Sequence, residues 1–183
     1  MSHLRFSGVT LVRGGRFLFE GLDLALEPGE ALQVTGPNGV GKSSLLRLAA
    51  GLLSPVAGTI ERSGLALADD KPALDRELPL GRALRFWTGT DPRQALAALR
   101  IEALADVPIR YLSSGQAKRA ALVRVIASGA PLWLLDEPLN ALDSAGAALL
   151  DKAIRRHRES GGAVLAASHV PLAGQWSKIE IGA

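Results

Sequence analysis

The chain contains no cysteine. That excludes a disulfide framework and any thiolate metal site. Aromatic residues make up only 4%, too few for a platform that stacks nucleic-acid bases. No apolar run approaches the roughly 18 residues needed for a membrane-spanning helix. The opening MSHLRFSGVT lacks the long apolar core of a signal peptide. A cytoplasmic chain is the simplest expectation. Neither sign of charge dominates, with 21 Lys and Arg against 18 Asp and Glu. A mild basic excess suits nucleotides, nucleic acid or an anionic membrane face, and a solvated basic surface explains it first. No nucleic-acid partner is expected.

What is present is enough for one domain with a real core: 183 residues, 48% of them hydrophobic. Leu22, Leu24 and Leu26 alternate with polar or small residues, the period of a half-buried strand. EALQVTGPNGVGKSSLLRLAAGLL reads as strand, glycine-rich loop, helix. Leu45, Leu48, Ala49, Leu52 and Leu53 fall at helical spacing and are expected to face the core. From about 65 to 110 the composition turns to Ala, Leu and Arg with scattered prolines, and a small helical insertion is expected. Beyond it strands and helices alternate. The continuous apolar run from Leu132 to Leu135 predicts a parallel sheet covered on both faces. The expected fold class is α/β: a mainly parallel central sheet, an N-terminal antiparallel β subdomain and a short helical subdomain.

GPNGVGKS, Gly36 to Ser43, matches G-x-x-x-x-G-K-[ST] in full. Such glycines let backbone N–H groups turn inward around phosphates, and the next helix points its positive end at them. Gly36, Pro37, Asn38, Gly39, Val40, Gly41, Lys42, Ser43 and Ser44 are therefore the candidate nucleotide contacts. Lys42 reaches the β- and γ-phosphates in this reading, and the Ser43 hydroxyl ligates Mg²⁺. LWLLDEP supplies acid at a strand end. Asp136 is the expected second metal contact and Glu137 the expected base for an attacking water. YLSSGQAKRAALVRVIAS is a turn feeding a basic helix. Its hydroxyls and N–H groups suit an anion, although Ser113 also reads as a plain N-cap. Lys118, Arg119 and Arg124 read as the helix's solvated face. His3 and His157 read as surface residues.

GPNGVGKS, LSSGQ (Leu112 to Gln116), WLLDEP, ALD (Ala141 to Asp143) and His169 after AAS stand in one order along the chain. In that order and spacing they resemble the ATP-binding cassette (ABC) ATPases, and the resemblance covers essentially all 183 residues. It implies a P-loop cassette that binds ATP with Mg²⁺ and hydrolyses it in a head-to-tail homodimer. It also implies that Ser113, Ser114, Gly115 and Gln116 cap the γ-phosphate held by a second subunit. His169 then contacts the γ-phosphate, and Asp143 communicates across the dimer. Four departures stand out. Ser114 replaces a common glycine, and Arg13 occupies the place of the usual adenine-stacking aromatic, where a guanidinium plane can stack on a base. Asp70 stands where the family has a glutamine that contacts Mg²⁺ and the membrane partner. The stretch from Lys42 to Ser113 is short, so the insertion that docks on membrane partners is trimmed. Within the family, RGGRFLFEGLDLALEPGE, LSSGQAKRAAL, APLWLLDEPLNALD and GGAVLAASHVPL are most similar to the ATP-binding subunits of the haem-handling exporter in bacterial cytochrome c maturation. That likeness implies separate integral-membrane partner chains and a peripheral place on the cytoplasmic face of the inner membrane. The alternatives are an ATPase subunit of another transporter, or a soluble ABC ATPase. The latter normally needs a coiled-coil insertion or a second cassette.

Overall fold

The computed structural model describes residues 1–69 and 74–182. Asp70, the expected glutamine replacement, lies outside the described residues. Three strands, β1 (Leu4–Arg13), β2 (Arg16–Leu26) and β4 (Ala57–Arg62), form an antiparallel sheet in the order β2-β1-β4. The expected alternation holds along β2: Leu26 is buried, and Leu22 and Leu24 are half-buried. Five further strands form a wholly parallel sheet in the order β5-β6-β7-β3-β8. They are β3 (Ala31–Thr35), β5 (Leu65–Ala68), β6 (Leu132–Asp136), β7 (Ala163–Ala167) and β8 (Ser177–Glu180). Every residue of β6 and of β7 is buried. That is why these strands read as continuous apolar runs rather than alternating ones.

Helix α1 (Lys42–Ala49) follows β3 and buries Leu45, Leu46, Leu48 and Ala49 against the sheet. Leu52, expected in the core, is 63% exposed. The helix ends at Ala49 and the chain reverses at Gly51, whose φ of 75° only glycine adopts without strain. The helical insertion also starts later than expected. Leu65–Ala68 is not helical but joins the parallel sheet, with Leu65 beside Leu132 and Ala68 beside Leu135. A run of four small apolar residues is ambiguous by itself, and the free edge of β6 settles it. Helices begin with α2 (Leu80–Thr88) and α3 (Arg93–Ala98), followed by short 3₁₀ turns at Glu102–Leu104 and Ile109–Tyr111. Leu80, Ala83, Leu84 and Leu96 bury this unit against α4 (Ser114–Ala127). Helix α5 (Ser144–Glu159) closes the far side of the sheet.

Two histidines expected at the surface are engaged. His3 bonds Ser63 Oγ through Nδ1 (3.2 Å) and the Gly161 carbonyl through Nε2 (2.9 Å). His157 stacks on Trp133, with ring centroids 3.8 Å apart and planes 8° apart. Burial pushes its pKa below the ordinary histidine value. The unfolded chain protonates His157 near pH ~6.5, and the folded chain only at lower pH. Stability is therefore lost as pH falls below about 6.5, until the folded value is passed. His157→Phe keeps a stacked ring and removes the titration. We expect its Tm to fall less than the parent's between pH ~7.5 and ~5.5, as read by circular dichroism. Equal slopes would show that His157 does not titrate on unfolding.

Candidate active site

The carboxyl ends of the parallel strands gather the candidate residues. β3 leads into Gly36, β6 ends at Asp136, and β7 leads into Ser168 and His169. This is where ligands bind in open parallel sheets. β7 lies between β6 and β3, so Asp136 sits two strands from the phosphate loop. Gly36 has no room for a side chain, because a Cβ there would run into the Ile181 carbonyl. Gly41, φ 120°, would place a Cβ 3.1 Å from Leu18 Cδ1. These two glycines thus fix how tightly the loop folds. Gly39, φ 80°, meets nothing, and its glycine serves conformation alone.

Lys42 is 7% exposed. Its ammonium donates to the carbonyls of Gly36 (2.8 Å) and Pro37 (3.0 Å), bridging back across the loop. Ser43 occupies the first turn of α1, and Ser44 is buried behind it. Arg13 Nη1 donates to Ser44 Oγ (3.2 Å). The guanidinium is thus tethered to the loop's helical end rather than standing as a free plane.

Asp136 is 4% exposed at the end of β6. Glu137 follows with φ 41°, an uncommon conformation for a residue with a Cβ. Its N–H donates to the Ala167 carbonyl (2.9 Å), which locks the turn onto β7. Its Oε2 accepts from His169 Nδ1 (2.7 Å) and, more weakly, from His169 N (3.4 Å). Two of the three expected catalytic residues, Glu137 and His169, therefore form one pair, with Glu137 the more sheltered partner and Lys42 apart at the phosphate loop. The loop carrying His169 is anchored from beneath. Buried Gln33 donates to the carbonyls of Val170 (2.7 Å) and Ser168 (3.4 Å). Sequence reading missed Gln33. Its signal was a lone amide amid the apolar residues Ala31, Leu32 and Val34 of β3.

Ser113 is the N-cap of α4. Its Oγ accepts from Gln116 N (3.3 Å), and Gln116 Oε1 accepts from Ser113 N (2.9 Å). This capping box contributes about 1 kcal/mol to the helix. The helix therefore starts at Ser114, inside the LSSGQ turn. Ser113 and Ser114 are exposed. The basic residues of α4 are not simply a solvated face. Lys118 donates to the Asp136 carbonyl (3.1 Å), Arg119 to Asp143 Oδ1 (2.6 Å) and Arg124 to the Leu67 carbonyl (2.6 Å). Asp143 caps α5 through Gly146 N (2.8 Å). That bond and Arg119 hold its carboxyl below the usual carboxylate range.

A phosphate loop, a strand-end carboxylate pair and a capped LSSGQ helix on one parallel sheet define a nucleotide-hydrolysing cassette. Residues 19–140 match the family model described as ABC transporter, and the chain belongs to that family as one of its ATP-hydrolysing cassettes. It is 56% identical over 177 residues to the cytochrome c biogenesis ATP-binding export protein CcmA of Sphingopyxis alaskensis, covering 93% of this chain and 91% of the relative. The protein of the same name from Novosphingobium aromaticivorans is 56% identical over 163 residues, 88% of this chain and 85% of its own length. A solved ATP-binding subunit of an ABC transporter aligns with a TM-score of 0.85 at 21% identity, over 92% of this chain and 80% of that one. A nucleotide-free ATP-binding cassette from an ABC transporter aligns with a TM-score of 0.76 at 19% identity, over 92% and 82%. At these identities the solved structures speak to the fold alone.

Proposed function

We propose that the whole chain is one cassette, the ATPase subunit of an exporter in cytochrome c biogenesis, with haem as the material handled. The identity to CcmA proteins along nearly the full chain carries this reading. As in an ABC transporter, separate membrane chains, CcmB- or CcmC-like, complete the exporter; no described helix is long and apolar enough to cross a membrane. A groove of about 300 Å³ between the segment after α1, strand β5, Trp87 of α2 and the end of α4 supports docking of such a chain. Leu52, Leu67, Trp87 and Arg124 line it. Leu52 and Trp87 are large and substantially exposed there. The cassette then lies on the cytoplasmic face of the inner membrane.

In this reading ATP sits with its phosphates in the loop from Gly36 to Ser44. Ser43 and Asp136 would hold Mg²⁺. A hydroxyl and a buried carboxylate suit a hard cation whose shell is completed by phosphate oxygens and water. When bound, the ion neutralises phosphate charge. Lys42 leaves its two carbonyls for the β- and γ-phosphates. Glu137 takes the proton of the attacking water, and His169 keeps that carboxylate aimed. A carboxylate only accepts, so the Nδ1 proton of His169 is committed to Glu137. His169 Nε2 then donates to a γ-phosphate only when the ring is protonated. Ser113 and Ser114 present the exposed end of α4 to the nucleotide of a second subunit, so two ATP molecules close a symmetric dimer.

Complementation tests the assignment. In a bacterium deleted for its own cytochrome c export ATPase, this chain is expected to restore covalent haem in c-type cytochromes, scored by haem-stained gels. Glu137→Gln is expected not to. If the parent chain folds, hydrolyses ATP and still restores nothing, the cargo assignment is wrong.

A further inference from the structure

Helix α4 is tied to the end of β6 and the segment that follows it, in its own subunit, at three points. Lys118 holds the Asp136 carbonyl. Arg119, whose side chain is 20% exposed, holds Asp143. Gly115 lies so close to the Ala141 carbonyl that a Cβ would come within 2.9 Å of it. The glycine of LSSGQ is thus required by packing inside one subunit, whatever it also does for phosphate. Gly146 closes the same cluster, since a Cβ there would crowd Asp143 Oδ1 (2.8 Å) and Arg119 Nε (3.1 Å). The segment between these ties carries two non-glycine residues at positive φ, Glu137 (41°) and Ala141 (62°). Each is a strained conformation that persists only where neighbours hold it. For the 141–143 end, the holding neighbours are Gly115 and Arg119 of α4, together with Gly146 N of α5.

We propose that Arg119 is a positioning residue that couples the LSSGQ turn to Glu137 of the same subunit, acting through Asp143 and the strained Glu137–Asp143 segment. The proposal rests on the reading that LSSGQ meets a second subunit's nucleotide. Helix α4 is continuous from Ser114 to Ala127. A displacement of its capped end therefore carries Arg119 with it. Asp143 follows through the ion pair, and Ala141 follows through its contact with Gly115. Glu137 begins that same segment, so its carboxylate is placed when the facing nucleotide engages the turn. Each subunit then hydrolyses its own ATP in response to the other's. Such coupling between two sites appears as a sigmoidal dependence on ligand.

The test uses the full chain and steady-state hydrolysis across MgATP concentration. For Arg119→Ala we expect kcat to fall about tenfold and KM to stay within about twofold, within the usual size of site-to-site coupling. The Hill coefficient is expected to drop to about one from a higher parental value. Arg119→Lys keeps the charge without the planar fork, and kcat is expected to recover in part. In a Glu137→Gln background, Arg119→Ala is expected to dimerise with MgATP as the parent background does, because the cap itself is untouched. A kcat within about twofold of the parent, or equal losses in kcat and dimerisation, overturns the proposal. Ser114→Arg in the same background separates the two levels, since it leaves the capping box in place. If it stays monomeric while Arg119→Ala hydrolyses normally, only the coupling role falls. If it dimerises freely, the two-subunit reading and the coupling role fall together.

Discussion

Glu137→Gln is expected to slow ATP hydrolysis by roughly 10²–10⁴-fold, the usual contribution of a general base. The substitution is nearly isosteric. Its amide oxygen still accepts from His169 Nδ1, which lies 2.7 Å from Oε2 in the parent. The backbone bond from residue 137 to the Ala167 carbonyl (2.9 Å) is independent of the side chain. Geometry is thus kept and basicity is lost. MgATP binding is expected to hold, because Lys42 and the loop from Gly36 to Ser44 are unchanged. Phosphate release measures the rate, and a fluorescent nucleotide analogue measures binding. Activity within about threefold of the parent would show that Glu137 is not the base. The slow variant also accumulates the ATP-bound state, so light scattering should detect a dimer with MgATP and a monomer without it. Two basic chains that meet at positive helix ends repel until nucleotide phosphates lie between them.

The residues expected to face a ligand were legible because their chemistry demands particular types at fixed spacing. Gly36, Gly41 and Lys42 read as a phosphate loop, and the chain does place the two glycines between β3 and α1, with Lys42 opening α1. The Asp136–Glu137 pair was legible for the same reason, being acid at the end of an apolar strand. What stayed hidden is how these parts hold one another. Lys118 and Arg119 look like any basic face of a helix. Only the sheet order brings the Asp136 carbonyl and Asp143 beside them. Gly115 reads as a phosphate glycine, yet the Ala141 carbonyl also forbids a side chain there. Leu65–Ala68 carries no periodicity that separates strand from helix, and its partner Leu132–Leu135 lies far along the chain. His157 was misjudged because a lone histidine near a helix end is usually solvated. Trp133, which covers it, enters from strand β6.

Lys42→Ala is expected to lower ATP affinity by roughly 10²–10⁴-fold, since two charge-assisted contacts to phosphate are worth about 1.5–3 kcal/mol each. The ammonium is now bonded to the Gly36 and Pro37 carbonyls at 2.8 and 3.0 Å. It has only 7% exposure. The side chain therefore already lies across the loop that would receive the phosphates. In the free protein it braces the loop, and with ATP the same charge is exchanged from carbonyl oxygens to phosphate oxygens. The loop's amides survive in the variant. So does the close packing of Gly36 on Ile181 and of Gly41 on Leu18. A folded but weakly binding protein is therefore the expected product. Circular dichroism checks the fold, and titration with MgATP reads the affinity. Retention of fold with affinity within about threefold of the parent would confine Lys42 to the bracing role. Loss of affinity with a small change in Tm separates the two roles. Bracing acts on stability and ATP binding acts on the phosphates, yet one ammonium serves both in turn.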